Sequence, residues 1–229
     1  MHVTYAGLAR TAAVAAILSG ILYVGIQFIH PEETLETVST DAWTMVAWLT
    51  VAMAILALVG ITGIYLRQVE LIGVLGLLGF VLFGAFYLLP IVFSFGEAAI
   101  LPLIADDAPN FVENYLGLFN GEGTDGSLGA LEEVPTLSAL LYVVGGVLLG
   151  IGIFRARVLS HWAGMLLAVG AAAALLAGLV PHNVGRFAAV PVGLAFIWLG
   201  YSLWSNPGIH MADLSETRPH SEISGSAGT

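Results

Sequence analysis

Long apolar runs without charged residues alternate with short polar segments along this chain of 229 residues. A helix needs about 20 apolar residues to cross a bilayer core of roughly 30 Å. Six runs approach or exceed that length, and we predict membrane spans at residues 11–29, 42–66, 71–95, 135–154, 162–180 and 187–204. The pattern predicts an all-α integral membrane protein whose residues 1–204 form one bundle of six transmembrane helices.

The longest polar interruption lies between the third and fourth runs, at Gly96–Val134. Within it, Asp106 and Asp107 followed by Pro109 are typical of a helix start. The apolar residues that follow recur on one face of a helix, and they are Phe111, Val112, Tyr115, Leu116 and Phe119. Because this face has no basic residue for anionic lipid, we predict a short amphipathic helix that packs over the mouth of the bundle.

Two parts of the chain resemble each other and predict an internal duplication. Gly63–Pro90 and Gly152–Pro181 each leave one apolar run, pass arginine and enter a second apolar run that ends on proline. The equivalent residues are Gly73, Leu75, Gly79, Leu88 and Pro90 in one copy and Gly164, Leu166, Gly170, Leu179 and Pro181 in the other. We interpret spans 2–3 and 4–5 as parallel copies of one hairpin.

Small residues allow close helix approach, so we expect helix contacts at Gly79, Gly146, Gly150 and Gly170.

The arginines predict the orientation of the bundle, because cytoplasmic loops carry the excess of Lys and Arg. Six spans place both termini on one side. With that side cytoplasmic, one arginine lies outside, at Arg186, and five lie inside, at Arg10, Arg67, Arg155, Arg157 and Arg218. We therefore predict a multi-pass protein of the cell (plasma) membrane with both termini cytoplasmic. The polar residues 205–229 are expected to form a disordered cytoplasmic tail.

Composition removes several classes of function. The chain has no cysteine, which excludes disulfides and thiolate metal sites, and a net charge of −10, which argues against nucleic acid as a partner. No Asp, Glu, Lys or Arg lies in the middle of a predicted span, where proton relays and ion pathways usually place them. No nucleophile–base or nucleotide-binding motif is present, so the sequence favours a protein without enzymatic activity.

The candidate functional residues lie at the outer ends of the spans. The polar ones are His30, Glu97, His182, Asn183 and Arg186, and the candidate wall residues are Tyr23, Tyr87 and Phe93. We predict that they line a pocket that opens outward, floored by spans one, three, five and six and covered by the amphipathic helix. A solid bundle with a loop folded over it is the alternative.

We expect this outer rim to bind a lipid, a small apolar ligand or a partner membrane protein, in addition to the surrounding bilayer. One alternative is a redox protein in which His30 and His182 hold b-type haem or a metal ion. Both histidines are also compatible with ordinary interfacial residues, and Arg186 with an ion pair to a loop acid such as Glu32 or Glu97. A small facilitator or channel is the other alternative.

Overall fold

A computed structural model describes residues 4–120, 127–179 and 182–206, and the part of the chain that it describes forms helices and turns without a β-strand. The α-helices are α1 (Tyr5–Ile29), α2 (Leu35–Val38), α3 (Asp41–Arg67), α4 (Gly73–Ala99), α5 (Leu101–Ile104), α6 (Pro109–Asn120), α7 (Val134–Ala156), α8 (His161–Ala173), α9 (His182–Gly185) and α10 (Val190–Ser205). Short 3₁₀ helices cover Gly129–Glu133, Ala174–Leu179 and Arg186–Ala189.

The six longer apolar helices form a closed ring in chain order. α1, α3, α4, α7, α8 and α10 each pack on the next helix, and α10 packs back on α1. Five segments are long and apolar enough to cross a membrane, and they are Tyr5–Ile29, Asp41–Arg67, Gly73–Ala99, Gly129–Ala156 and Arg186–Ser205. These features confirm an all-helical protein of the membrane class.

The fifth predicted span differs from the others. Residues 162–180 were expected to form one helix, but α8 ends at Ala173 and a 3₁₀ helix continues to Leu179. A 3₁₀ helix has backbone hydrogen bonds between residues three apart, whereas an α-helix has them between residues four apart. Hydropathy does not distinguish the two kinds of helix. The segment is therefore shorter as an α-helix than its apolar run suggested.

The two ends of the ring have opposite character. At one end, which we call the arginine end, Arg67 Nε donates to the carbonyl oxygen of Asn206 at 2.9 Å, and the guanidinium of Arg10 lies 5.7 Å from the ring centre of Trp204. At the other, which we call the acidic end, α1 and α4 finish while α3 and α7 begin. The helices that meet at the acidic end bring His30, Asp41 and Glu97 there.

Glycines allow neighbouring helices to approach closely. A Cβ atom on Gly79 of α4 would lie 2.6 Å from the Cα of Leu149 in α7, and one on Gly150 would lie 2.6 Å from the backbone nitrogen of Ala168 in α8. Gly146 faces Ala171, and Gly170 faces Val192 of α10. All four glycines lie at helix contacts, which confirms the prediction from the small-residue pattern.

An aromatic cluster fills the interior between α4, α7 and α10. The ring of Phe83 is fully buried, and around it lie the rings of Phe86, Tyr87, Tyr142 and Phe196, with centroids between 5.1 and 6.2 Å away. The hydroxyl of Tyr87 is buried without a hydrogen-bond partner among the described residues. These rings close the interior of the bundle below its acidic end.

Candidate functional site

Local sequence signals bring two helix ends together at the acidic end. α1 stops at His30 because Pro31 disfavours helical backbone in the residue before it, and His30 is extended, with φ −65° and ψ 122°. α3 starts at Asp41 because the side chain of Thr40 accepts a hydrogen bond from the backbone nitrogen of Trp43 at 3.3 Å. These two boundaries place His30 beside Trp43, with their ring centroids 6.1 Å apart and nearly perpendicular.

A small cap covers the acidic end and has its own apolar core. It is built from α2, α5, α6 and the first turn of α3, and its buried residues are Val38, Trp43, Leu101, Ala105, Val112 and Leu116. Trp43 also donates from its indole Nε1 to the carbonyl oxygen of Glu97 at 3.0 Å. Trp43 therefore fixes the cap to the end of α4.

Helix α6 covers the bundle through one edge of its apolar stripe. The Tyr115 ring stacks on Phe93 at 5.1 Å and its hydroxyl donates to the carbonyl oxygen of Phe93 at 3.2 Å, while the Phe119 ring lies 5.3 Å from Phe93. Burial raises the pKa of the Tyr115 phenol, and the negative charge of Glu97 raises it further. Phe111 and Phe119 are less buried than the predicted stripe implies, because 40% and 45% of their surfaces are exposed.

Two tyrosines with different hydroxyl environments give a direct test of this packing. Tyr115→Phe removes a hydrogen bond, and we expect it to lower the free energy of unfolding by about 0.5–1.5 kcal/mol. Tyr87→Phe removes a buried hydroxyl that has no partner, so we expect no loss and a gain of up to about 1 kcal/mol. Denaturant titration of each variant in detergent measures both values, and a larger loss for Tyr87→Phe than for Tyr115→Phe would contradict the described packing.

Two adjoining pockets lie at the acidic end, and one of them borders the cap residues Trp43 and Phe119. The first, which we call the arginine lobe, has a volume of about 240 Å³ and is lined by Tyr23, Ile26, Gln27, His30, Glu33, Thr50, Met53, Phe86, Pro90 and Arg186. The second, which we call the acidic lobe, has a volume of about 170 Å³ and is lined by His30, Glu33, Trp43, Val46, Ala47, Thr50, Ser94, Glu97 and Phe119. Since His30, Glu33 and Thr50 line both, the lobes are parts of one site.

The backbone of His30 connects the site to the segment before α10. Its carbonyl oxygen accepts a hydrogen bond from Arg186 Nη1 at 3.3 Å, across 156 residues of chain. Its ring Nδ1 lies 2.8 Å from the carbonyl oxygen of Pro31, so this nitrogen is the protonated donor when the ring is neutral. The other ring nitrogen, Nε2, is then the acceptor.

Arg186 carries a positive charge at this site without a carboxylate partner among the described residues. One of its five N–H donors reaches His30, its Nε is buried without a hydrogen-bond partner, and its guanidinium lies 5.6 Å from the ring centre of Phe187. The ion pair with Glu32 or Glu97 that the sequence also allowed is not formed. The other N–H donors of Arg186 and its positive charge are available to a ligand in the arginine lobe.

The structure brings some of the predicted site residues together and separates others. Tyr23, His30 and Arg186 line the arginine lobe, and His30 and Glu97 line the acidic lobe. Phe93 lies beneath α6 and contacts the cap instead of the pockets, and Tyr87 lies in the aromatic cluster. The side chains of His182 and Asn183 lie outside what the structure describes.

The contribution of span two to the site was not predicted from the sequence. We expected a floor from spans one, three, five and six, but α3, the second span, supplies Trp43, Thr50 and Met53. Glu33 was also missed. The signal that could have found Thr50 is its position seven residues after Trp43, which places both side chains on the same face of α3 two turns apart.

No metal-binding cluster is found in the described ranges. The side chain of His182, the second haem ligand that the sequence suggested, lies outside the described residues, and the two lobes at His30 have volumes of about 240 and 170 Å³. Among the residues that the structure describes, no group of three or more His, Asp or Glu side chains is arranged to hold a metal ion.

A larger groove near the arginine end differs from the site in its chemistry. It holds about 450 Å³ between α1 and α3 and is lined by Tyr5, Leu8, Ala9, Ala12, Leu58, Val59, Thr62, Gly63 and Leu66. Several of these side chains are exposed on the outer face of the ring. The groove lies on the outer face of the ring, and Thr62 lies more than three helical turns from Thr50 on the same helix.

Comparisons of the chain with protein-family models, with curated proteins and with solved structures gave no match. The functional interpretation therefore depends on the geometry of the site.

Proposed function

We propose that this protein is a non-enzymatic membrane protein that binds a small ligand in the two-lobed pocket at the acidic end of its helical ring. The single observation that supports this function is the convergence of polar side chains from distant parts of the chain beneath a folded cap. Glu97 is 67 residues from His30 in sequence and Arg186 is 156, yet all three border one site. Small apolar pockets with a few polar groups are the usual form of ligand sites.

The same proposal includes an orientation and a span count. We propose that six segments of the ring span the membrane. The fifth span consists of α8 together with the 3₁₀ helix Ala174–Leu179. The positive-inside rule supports a cytoplasmic arginine end and an outward acidic end in the cell membrane, with both termini inside. The duplication of spans 2–3 and 4–5 is supported by Gly79 and Gly170, because each of these equivalent glycines packs against the next helix of the ring.

Two other functions receive less support from the geometry. Each pocket beside His30 is smaller than a typical pocket for a drug-sized ligand, which favours a small ligand over haem. An open channel would require a path through the bundle, and the rings around Phe83 fill the interior below the arginine lobe. A partner protein or a lipid remains compatible with the proposal if it places a small group in the pocket.

A pocket-filling substitution tests the proposed function. Thr50 borders both lobes and its hydroxyl donates to the carbonyl oxygen of Val46 at 3.0 Å. Tryptophan at this position would occupy the shared space. We expect native mass spectrometry of Thr50→Trp, purified from its own membranes, to show loss of a small-molecule adduct that the unmodified protein carries.

The matched control is Thr62→Trp on the same helix. Thr62 makes the same type of hydrogen bond, to the carbonyl oxygen of Leu58 at 2.7 Å, but its side chain is exposed on the outer face of the ring. We expect this variant to keep the adduct. Equal adduct mass and occupancy in Thr50→Trp, Thr62→Trp and the unmodified protein would exclude the pocket as the binding site.

A further inference from the structure

Arg186 and Glu97 lie in different lobes and do not form an ion pair with each other. Arg186 contributes a guanidinium to the arginine lobe and Glu97 contributes a carboxyl group to the acidic lobe, while the carboxyl group of Glu33 borders both lobes. Neither side chain is in a salt bridge with another described residue, and Arg186 uses one donor on a backbone carbonyl. Charges held apart in a partly buried site are stabilised when a ligand supplies the complementary charges.

The acidic lobe has the chemistry that recognises an ammonium group. Glu97 supplies a carboxyl group whose ionised form an ammonium group would stabilise, and the rings of Trp43 and Phe119 supply aromatic faces that attract cations. The hydroxyls of Thr50 and Ser94 add hydrogen-bond acceptors for N–H groups. A volume of about 170 Å³ has room for a small ammonium group and not for a bulky cation.

The arginine lobe has the chemistry that recognises a phosphate or carboxylate group. The planar guanidinium of Arg186 presents parallel N–H donors that match two oxygen atoms of either anion. The phenol of Tyr23 borders the same space and adds a neutral donor. Because His30 and Thr50 border both lobes, an anion at Arg186 and an ammonium group near Glu97 can belong to one molecule.

We propose that the site binds a zwitterion, with its ammonium group in the acidic lobe and its phosphate or carboxylate group at Arg186. This inference depends on the proposed function, since it names the ligand class of the same pocket. The zwitterion has two possible sources, a lipid headgroup such as that of phosphatidylethanolamine or a free solute with the same charges. The shared chemistry defines the site in both cases.

Calorimetric titration of the full-length protein in detergent tests the inference with three probes, which are phosphoethanolamine, ethanolamine and inorganic phosphate. We expect phosphoethanolamine to bind at least about tenfold more tightly than either half, because two charge-assisted contacts act together. Arg186→Gln should weaken phosphoethanolamine and phosphate by about tenfold or more and leave ethanolamine unchanged. Glu97→Gln should weaken phosphoethanolamine and ethanolamine and leave phosphate unchanged.

Thermal unfolding without ligand provides the folding control, and Arg186→Lys provides a second variant that keeps the charge. We expect Arg186→Lys to retain part of the phosphate affinity that Arg186→Gln loses. Nanodiscs then separate the two sources. We measure the affinity for soluble phosphoethanolamine in nanodiscs of phosphatidylethanolamine and in nanodiscs of phosphatidylglycerol. A weaker affinity in phosphatidylethanolamine discs alone indicates competition by a lipid headgroup. Equal affinity in both kinds of disc indicates a free solute.

The zwitterion is excluded if phosphoethanolamine binds no better than its halves, or if each variant weakens all three probes equally. Absence of binding by every probe would also exclude it. In that case the proposed function still stands if Thr50→Trp loses the native adduct that Thr62→Trp keeps. If these two variants retain the adduct equally, the proposed function fails together with the ligand class.

Discussion

Alanine in place of Gly79 is expected to lower the free energy of unfolding by about 1–3 kcal/mol, because α4 and α7 meet there backbone to backbone. A Cβ at Gly79 would lie 2.6 Å from the Cα of Leu149 and closer still to its nitrogen. Main-chain atoms cannot move aside as a flexible side chain can, so the two helices would have to separate. In a bilayer, association of helices depends on such close packing.

The matched control lies on the same helix. A Cβ at Gly84 would be 3.9 Å from the methyl groups of Ile61 and Leu58, an ordinary contact. Gly84→Ala is therefore expected to leave stability unchanged or to raise it by up to about 1 kcal/mol through helix propensity. Unfolding of both variants by denaturant titration in detergent, followed by circular dichroism, gives the comparison. Similar stabilities for Gly79→Ala and Gly84→Ala would be incompatible with the described α4–α7 contact.

Aspartate in place of Val112 is expected to release the cap from the bundle. Val112 is fully buried in the apolar core of the cap, and an unpaired carboxylate at such a position costs about 3 kcal/mol or more. That cost corresponds to an increase of about 100-fold in the open population of the cap. Limited proteolysis should therefore cut the segment around α6 about 100-fold faster, since cleavage follows the open population when opening is rapid.

Phe111→Asp is the comparison, because the sequence places Phe111 and Val112 on one apolar stripe and the structure separates them. Phe111 is 40% exposed, so its substitution should cost at most about 1 kcal/mol and change the cleavage rate far less. Circular dichroism should show an intact bundle in both variants. Equal cleavage rates for the two variants would mean that the stripe is not divided as described.

Hydropathy was sufficient to predict the longer apolar helices, although α1 begins six residues before the predicted span 11–29, and the short helices α2, α5 and α9 were not predicted. The second predicted span, 42–66, corresponds to Asp41–Arg67, and the third, 71–95, to Gly73–Ala99. The third of these helices extends beyond its predicted end because its last turn includes Gly96 and Glu97. These residues are not apolar, so the apolar run ends before them. Hydropathy could not separate α8 from the 3₁₀ helix after it, because both segments are apolar.

The sequence identified polar residues at helix ends but not which ends meet. The order of helices in the ring depends on packing between distant parts of the chain. No local sequence pattern could therefore predict the hydrogen bond from Arg186 to His30. Thr50 was overlooked for a different reason. A threonine inside an apolar helix commonly donates a hydrogen bond to the carbonyl oxygen four residues earlier, as Thr50 does to Val46. A threonine in such a run therefore gives no sign in the sequence that it lies beside a pocket.

Site-directed labelling of Thr50→Cys is the most direct measurement of the central claim, that the site beneath the cap opens to the outside of the cell. The chain has no native cysteine, so a single maleimide reaction reports this position alone. Glu70→Cys, exposed in the turn after α3 at the arginine end, is the control for the opposite side of the membrane. We predict that a membrane-impermeant maleimide applied to intact cells labels Thr50→Cys and leaves Glu70→Cys unlabelled. Labelling of Thr50→Cys only after the cytoplasmic side is exposed would contradict the account.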